Sequence, residues 1–259
     1  IKYSVILPTY NRADSYLKDA ILSVINQTYT NWELLIIDNH SKDATDELVK
    51  SFKNNKIRLL KNYNIGNIAQ SRNIGIKKSR GEFIAFLDSD DFWNREKLNI
   101  CNKFLDNNKE IGICHAESWL YENGTEKVKV YGPEKNFKYE KLLLRGNCIS
   151  LSAVILPKSF FYRVGFFSEN PNFISAEDYD LWIRLSKNNL KIKFLNNNLG
   201  TFRMHDESIS SNIIKHTKSI NNVLLQYDYK SKSMSRSWFI AGKRFQLAGY
   251  YLLACKFYI

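Results

Sequence analysis

Short apolar, β-branched runs recur through the first part of the chain at YSVILP, NWELLIID, KIRLLKN and GEFIAFLD, with helix-like stretches between them at Ser15 to Ile25 and at NIAQSRNIGIKKS. A strand, a helix and a second strand form a βαβ unit, and repeating it builds a mostly parallel sheet flanked by helices on both faces. Residues 1–116 therefore read as α/β and Rossmann-like. Ligands of such sheets bind at the carboxyl ends of the strands. The loops there are PTYNR, DNHSKD, NYNIGN and DSDD, all polar.

Beyond Glu117 the pattern loosens. Asn123-Gly124 marks a hairpin, SAVILP reads as a short strand, a helix opens near EDYDLWIRL, and the C-terminal region is helical. Without an internal repeat or a low-complexity linker, the chain reads as one domain over 1–210 with a helical extension over 211–259.

Composition narrows the class. A chain of 259 residues, 44% of them hydrophobic, holds a full core. No apolar run approaches the roughly 18 residues of a spanning helix, and the opening YSVILP is too short for a signal peptide. A cytoplasmic protein is expected. Cys101, Cys114, Cys148 and Cys255 form no C-x-x-C pair and read as reduced thiols. The net charge of +12 is concentrated late: residues 201–259 carry nine Lys/Arg against three Asp/Glu, and residues 1–50 carry five against seven. Nucleic acid, an anionic membrane and a phosphorylated ligand all suit such a charge. The strand-end loops are not an aromatic-studded basic platform, which argues against nucleic acid.

Within FLDSDDFW, extended backbone would turn Asp88 and Asp90 to one side and Ser89 to the other. Carboxylates that close need a cation or donor groups, and Mg²⁺ or Mn²⁺ bridging to a diphosphate is the common solution. Helix capping is the competing reading, adopted for Asn94 and in part for Asp91. Alone, a D-x-D is a short motif that arises often by chance.

Its context is far rarer. SVILPTYNR, NQTYTNWELLIIDNHSKD, SRNIGIKKSRGEFIAFLDSDDFW and EDYDLWIRL follow one another in this order, and in combination the chain resembles the family 2 glycosyltransferases over most of residues 3–210. The resemblance implies a GT-A fold, with a nucleotide-binding half over 1–116 and an acceptor-binding half over 117–210. It implies an inverting, metal-dependent transfer from a nucleotide diphosphate sugar, usually a UDP-sugar, with Mn²⁺ or Mg²⁺. By the same resemblance Pro8, Thr9, Tyr10 and Arg12 surround the nucleotide, Asp38 reads the uracil edge, and Arg72 approaches the nucleotide. Asp88 is the ribose-side member of the D-x-D, Ser89 is counted with the nucleotide-binding residues, Asp90 is a metal ligand, and Asp178 is the general base. Arg203 and His205, in FRMHDES after a short strand, match an R-x-H that reaches the diphosphate or the metal, with His205 as a further metal ligand or simply a hydrogen-bonded loop histidine. Glu177 and Trp182 fall with Arg203 on the diphosphate or acceptor side.

Two departures stand out. The family's Gly after the acidic position is His40, read as an exposed turn histidine, with Asn39 expected to carry the left-handed turn. A frequent Pro is replaced by Arg95, at a first helical turn where Pro is optional.

Spacing bears on Asp178 independently. In a helix from Ala176, Asp178 shares an inward face with Trp182 and Leu185, whereas Asp180 would form a surface ion pair with Arg184. The helix N-terminus would favour an ionised Asp178, the form a base requires.

A Lys-, Asn- and Ile-rich chain without a targeting signal fits bacterial synthesis of surface polysaccharide, lipooligosaccharide or glycan precursors, with a glycan or polyprenyl-linked acceptor. At the end of the chain Leu247, Tyr250, Tyr251, Ala254 and Tyr258 line one helical face, below Trp238, Phe239, Lys243 and Arg244. An anchor on the inner face of the cytoplasmic membrane is one reading of it. Packing on the catalytic domain or on another copy is the other, and the preferred one. A nucleotidyltransferase would need a Gly- and Lys-rich loop where PTYNR stands; a sugar-nucleotide binder without turnover has the same sequence signature.

Overall fold

The structure, a computed structural model, describes residues 1–106, 108–132, 137–206, 208, 211–227, 239 and 242. Strands β1 (Tyr3–Thr9) and β2 (Trp32–Asp38) are buried along their whole length, as strands covered on both faces must be. Helix α1 (Leu17–Ile25) joins them and buries Leu17, Ala20, Ile21 and Val24. Next come α2 (Thr45–Ser51), β3 (Ile57–Lys61), α3 (Ile68–Lys78) and β4 (Phe83–Phe86), which complete the alternation read in the sequence. The second half holds β5 (Phe92–Trp93), α4 (Lys97–Leu105), β6 (Ile111–Tyr121), β7 (Glu126–Lys129), α5 (Tyr139–Arg145) and β8 (Val154–Pro157). It ends with α6 (Lys158–Val164), α7 (Glu177–Lys187), β9 (Lys191–Met204) and α8 (Ile213–Gln226).

All strands join one sheet in the order β3-β2-β1-β4-β8-β6-β9-β5, with β7 on β6 as the hairpin partner. The first four pair in parallel. Past β4 the sheet is mixed, since β8 runs antiparallel to both β4 and β6 while β9 is parallel to β6. The mostly parallel sheet expected from residues 1–116 is purely parallel over β3, β2, β1 and β4 and mixed beyond them, within an α/β architecture that stands as expected. Two apolar clusters cover the two faces, one packed under α3, α5 and α7, the other under α1 and α4.

This order locates the site. The chain runs from β1 outward to β2 and β3 and then returns to β4 on the other side of β1, and the crevice at such a reversal is where α/β sheets bind ligands. Pro8 helps to open it. The Ile6 carbonyl faces β4 and accepts the Leu87 N–H at 3.1 Å, so Pro8, two residues on, points the same way with no N–H to offer. Pairing with β4 ends at Ile6 and Phe86, while pairing with β2 continues to Thr9 and Asp38.

Cys101 and Cys114 are buried free thiols and Cys148 is a half-buried one. Cys255 and the apolar face from Leu247 to Tyr258 lie outside the described residues. Among the described residues no helix is long and apolar enough to cross a membrane.

The start of β4 is closely packed: a Cβ on Gly81 would come within 2.6 Å of the Ser4 backbone nitrogen. We predict that Gly81→Ala lowers unfolding stability by about 2 kcal/mol, as overpacking against backbone does; an unchanged urea midpoint would refute this.

Candidate active site

The first two strand-end loops are stitched together. Asn39 N–H donates to the Thr9 carbonyl at 3.0 Å. Asn11 N–H donates to Ser41 Oγ at 2.8 Å, and Lys42 N–H returns to Asn11 Oδ1 at 2.8 Å. Both turns need left-handed backbone, at Asn11 (φ 49°) and at His40 (φ 56°). The left-handed residue is therefore His40 itself rather than Asn39, and its ring is exposed, edge-on to Tyr63. Asp38 is fully buried: it accepts the Ser41 N–H and hydroxyl, and Lys61 Nζ at 2.6 Å. In this geometry its carboxylate fixes the loop. Pro8 and Thr9 are buried and Tyr10 is half exposed.

The acidic segment is a turn, closed by Asp91 N–H on the Asp88 carbonyl at 3.1 Å. Because β4 stops at Phe86, strand alternation does not apply, and Asp88 and Asp90 are not aimed side by side. Asp88 Oδ1 accepts from Arg72 at 2.8 Å, and Asp90 Oδ2 lies 2.9 Å from His205 Nε2. Ser89 is half-buried between them. Burial and the neighbouring Asp90 push the Asp88 carboxyl up, against the pull of Arg72. Asp91 is not a helix cap: it is buried, accepts the Arg203 N–H at 3.0 Å and leaves Oδ2 unpartnered. Burial and the adjacent carboxylates raise it well above the usual range. Asn94 does serve the start of α4, accepting the Glu96 N–H at 2.9 Å.

Beneath the turn, Ser152 Oγ accepts the Asp88 N–H at 3.1 Å. The Ser152 carbonyl accepts from Trp93 Nε1 (3.1 Å) and Lys97 Nζ (2.7 Å). Lys97 is wholly buried, which pulls its ammonium down to about 7.

Arg203 lies within a 14-residue strand, not after a short one. Its guanidinium donates to the Asp90 carbonyl (3.1 Å) and to Asp19 (2.7 Å), and its Cζ lies 4.9 Å from the Tyr16 ring centre. Arg12 lies 5.9 Å from the same ring, and the His205 ring 5.1 Å. Tyr16, which no sequence motif marked, thus joins the first loop to the R-x-H segment. An open cleft of about 840 Å³ lies here, lined by Arg12, Tyr16, Lys42 and His205 among others.

Across Arg72 from the acidic turn is the start of α7. Asp178 is half-buried; its Oδ1 accepts the Tyr179 N–H at 2.7 Å and its Oδ2 accepts from Asn147 at 3.0 Å. Burial, then the Glu177 carboxylate, lift its pKa to about 7, against Arg72 and the two donors. The helix N-terminus therefore does not hold it fully ionised. Glu177 is buried on Arg72 at 2.5 Å. Trp182 is completely buried below, with its Nε1 unpartnered, and offers no surface to a ligand. The surface ion pair expected at Asp180 is instead a buried one: Asp180 is 1% exposed, 2.8 Å from Arg184 Nη2, and accepts from Tyr227 Oη at 2.6 Å. Helix α8 covers that face, which helical spacing within α7 alone does not reveal.

Among the described residues no three His, Cys, Asp or Glu side chains cluster as a metal cage. Asp90 and His205 already meet at hydrogen-bond distance, and His205 Nδ1 is buried without a partner. One carboxylate with one imidazole fits a divalent ion that completes its shell with ligand phosphates and water.

The sheet order, with an acidic turn where it reverses, is that of a GT-A fold. The family model for glycosyl transferase family 2 matches residues 4–168, and the chain belongs to that family. It is 35% identical over 241 residues to an Escherichia coli protein, UDP-Glc:alpha-D-GlcNAc-diphosphoundecaprenol beta-1,3-glucosyltransferase WfgD, covering 92% of this chain and 90% of that one. It is 27% identical over 217 residues to the putative teichuronic acid biosynthesis glycosyltransferase TuaG of Bacillus subtilis, covering 83% and 84%. Among solved structures, S. aureus TarS 1-349 with UDP-GlcNAc superposes with a TM-score of 0.68 at 20% identity, covering 94% of this chain and 71% of that one. The mannosyltransferase PcManGT of Pyrobaculum calidifontis, with GDP-Man and Mn2+, does so with a TM-score of 0.69 at 14% identity, covering 98% and 75%.

We predict that His205→Ala, with its fold intact by circular dichroism, loses roughly 10- to 100-fold of the Mn²⁺-dependent affinity for UDP, the usual scale for disturbing a metal site. Full retention would remove His205 from the metal.

Proposed function

We propose that this glycosyltransferase moves a sugar from a UDP-sugar to a hydroxyl of a glycan or polyprenyl-linked acceptor, inverting the anomeric centre, in the synthesis of bacterial surface polysaccharide, lipooligosaccharide or a glycan precursor. The single observation that carries the reading is the Asp178 carboxyl, half-buried and lifted to about 7, across one guanidinium from the acidic turn. UDP as donor is supported by the UDP-glucose in the name of WfgD and by UDP-GlcNAc on TarS.

The loops of Thr9 to Arg12 and Asp38 to Ser41 form the nucleotide side, and Arg203 holds the Asp90 turn through its backbone carbonyl. Asp90 and His205 would hold Mn²⁺ or Mg²⁺, which when bound neutralises charge on the departing diphosphate. Asp178 takes the proton of the acceptor hydroxyl as that oxygen bonds to the anomeric carbon. The bond from that carbon to the diphosphate breaks on the opposite face, which inverts the configuration. Asn147 keeps the carboxylate aimed while it waits for the proton.

A base works only when ionised, so a pKa near 7 makes kcat fall as pH drops through about 7 and level off above it. We predict that Asp178→Asn lowers turnover by about 10²- to 10⁴-fold. Turnover equal to that of the unmutated enzyme would end the assignment.

Thermal unfolding with UDP, GDP, CDP and dTDP, each with and without Mn²⁺, tests the donor class. A ligand at ~100 times its dissociation constant adds about 2.7 kcal/mol of stability. We expect a rise that needs UDP and Mn²⁺ together; a rise with another nucleotide alone would replace UDP as the donor base.

A further inference from the structure

Arg72 sits differently from a ligand-facing arginine. It is 4% exposed, with Nη2 on Asp88 Oδ1 at 2.8 Å and Nη1 on Glu177 Oε1 at 2.5 Å. Its Nε is buried without a partner, and its Cζ lies 5.7 Å from the Phe167 ring centre. Both arms of the guanidinium are thus engaged inside the protein. One carboxylate belongs to the turn after β4, and the other to the first residue of α7, immediately before Asp178.

We propose that Arg72 is a positioning residue that ties the donor-side turn to the helix carrying the base, so that Asp88 and Asp178 keep their separation through one guanidinium. The proposal rests on the transfer reaction above. The beginning of α7 requires such a tie. Its N-cap, Ala176, supplies no side-chain hydrogen bond, and Ser175 before it takes a left-handed φ of 76°, a conformation that surrounding contacts must enforce. The remaining oxygen of Glu177 is buried and unpartnered, so without Arg72 that carboxylate would sit uncompensated. Lysine, a single point charge, does not grip two carboxylates from two elements as a forked guanidinium does.

Electrostatics make the role separable from plain packing. The charged groups facing Asp178 are Glu177 from its own helix and Arg72 from α3, with neutral Asn147 from the segment after α5. Glu177 pushes the Asp178 carboxyl up and Arg72 pulls it down. Removing the one or the other must move the base in opposite directions.

The test compares the full chain with Arg72→Met, Arg72→Lys and Glu177→Gln. Hydrogen exchange is followed at the amides of residues 177–180, and kcat and KM are measured against pH with a UDP-sugar. We expect faster exchange there in Arg72→Met and Glu177→Gln, with β1 and β2 still protected. We also expect kcat to fall by roughly tenfold or more while donor KM changes little, the pattern of an interaction that matters in the transition state. The acid limb of kcat should move to higher pH in Arg72→Met and to lower pH in Glu177→Gln, with Arg72→Lys recovering part of the loss. Unchanged exchange in α7, or a loss confined to donor KM with the limb fixed, would overturn the proposal and make Arg72 a nucleotide ligand. If Arg72→Met fails to fold, the near-isosteric Glu177→Gln gives the same comparison. Failure of the transfer reading shows separately, as no turnover of any nucleotide sugar by the unmutated chain; the exchange measurement needs no turnover and still decides.

Discussion

A guanidinium taken out of water between two carboxylates is the interaction on which the site's shape depends. Arg72 spans 16 residues to Asp88 and 105 to Glu177, so it joins α3 to the turn after β4 and to the first turn of α7. Desolvating three charges is costly, and removing one partner from such a buried set costs ~3–5 kcal/mol, because the rest is left uncompensated. The arrangement is affordable only because the fold brings these elements together. Reversal of strand order at β1, and a proline that ends pairing with β4, leave room at the carboxyl ends for a turn and a helix start to converge.

Asp90, in the turn after β4, and Asp178, at the start of α7, differ in their surroundings. Asp90 lies in a polar turn with an imidazole beside it and its backbone gripped by Arg203. Asp178 is lifted by burial and by the like charge of Glu177, against Arg72 and two donors, the Tyr179 N–H and the Asn147 amide, and is left at about 7.

The α/β class, the strand-end loops and the position of the acidic segment were legible because each depends on local periodicity or on a short motif, whereas the turn that aims Asp88 and Asp90 apart was not. What depended on contacts between distant segments was not. Asp180 looked like a surface residue because helical spacing shows its neighbours within α7 and not α8 lying over it. Trp182 shared a face with Asp178, but that face leads into the core within one turn. His40 takes a left-handed turn that composition assigned to Asn39, since the stitching of Asn11 to Ser41 decides which residue bends. Tyr16, Asn147 and Ser152 carry no motif at all. Their importance comes from what they touch, and only the chain's path brings those groups to them.

The end of the described chain has a structural consequence. Tyr227 hydrogen-bonds the buried Asp180, and His216 lies 3.1 Å from the hydroxyl of Ser175, the left-handed residue ahead of α7. Helix α8 is therefore a buttress, not an appendage. A chain cut after Asp206 would keep every residue that lines the cleft and yet lose the contacts that α8 and Tyr227 make with Ser175 and Asp180, so the folded unit is longer than the segment that forms its cleft.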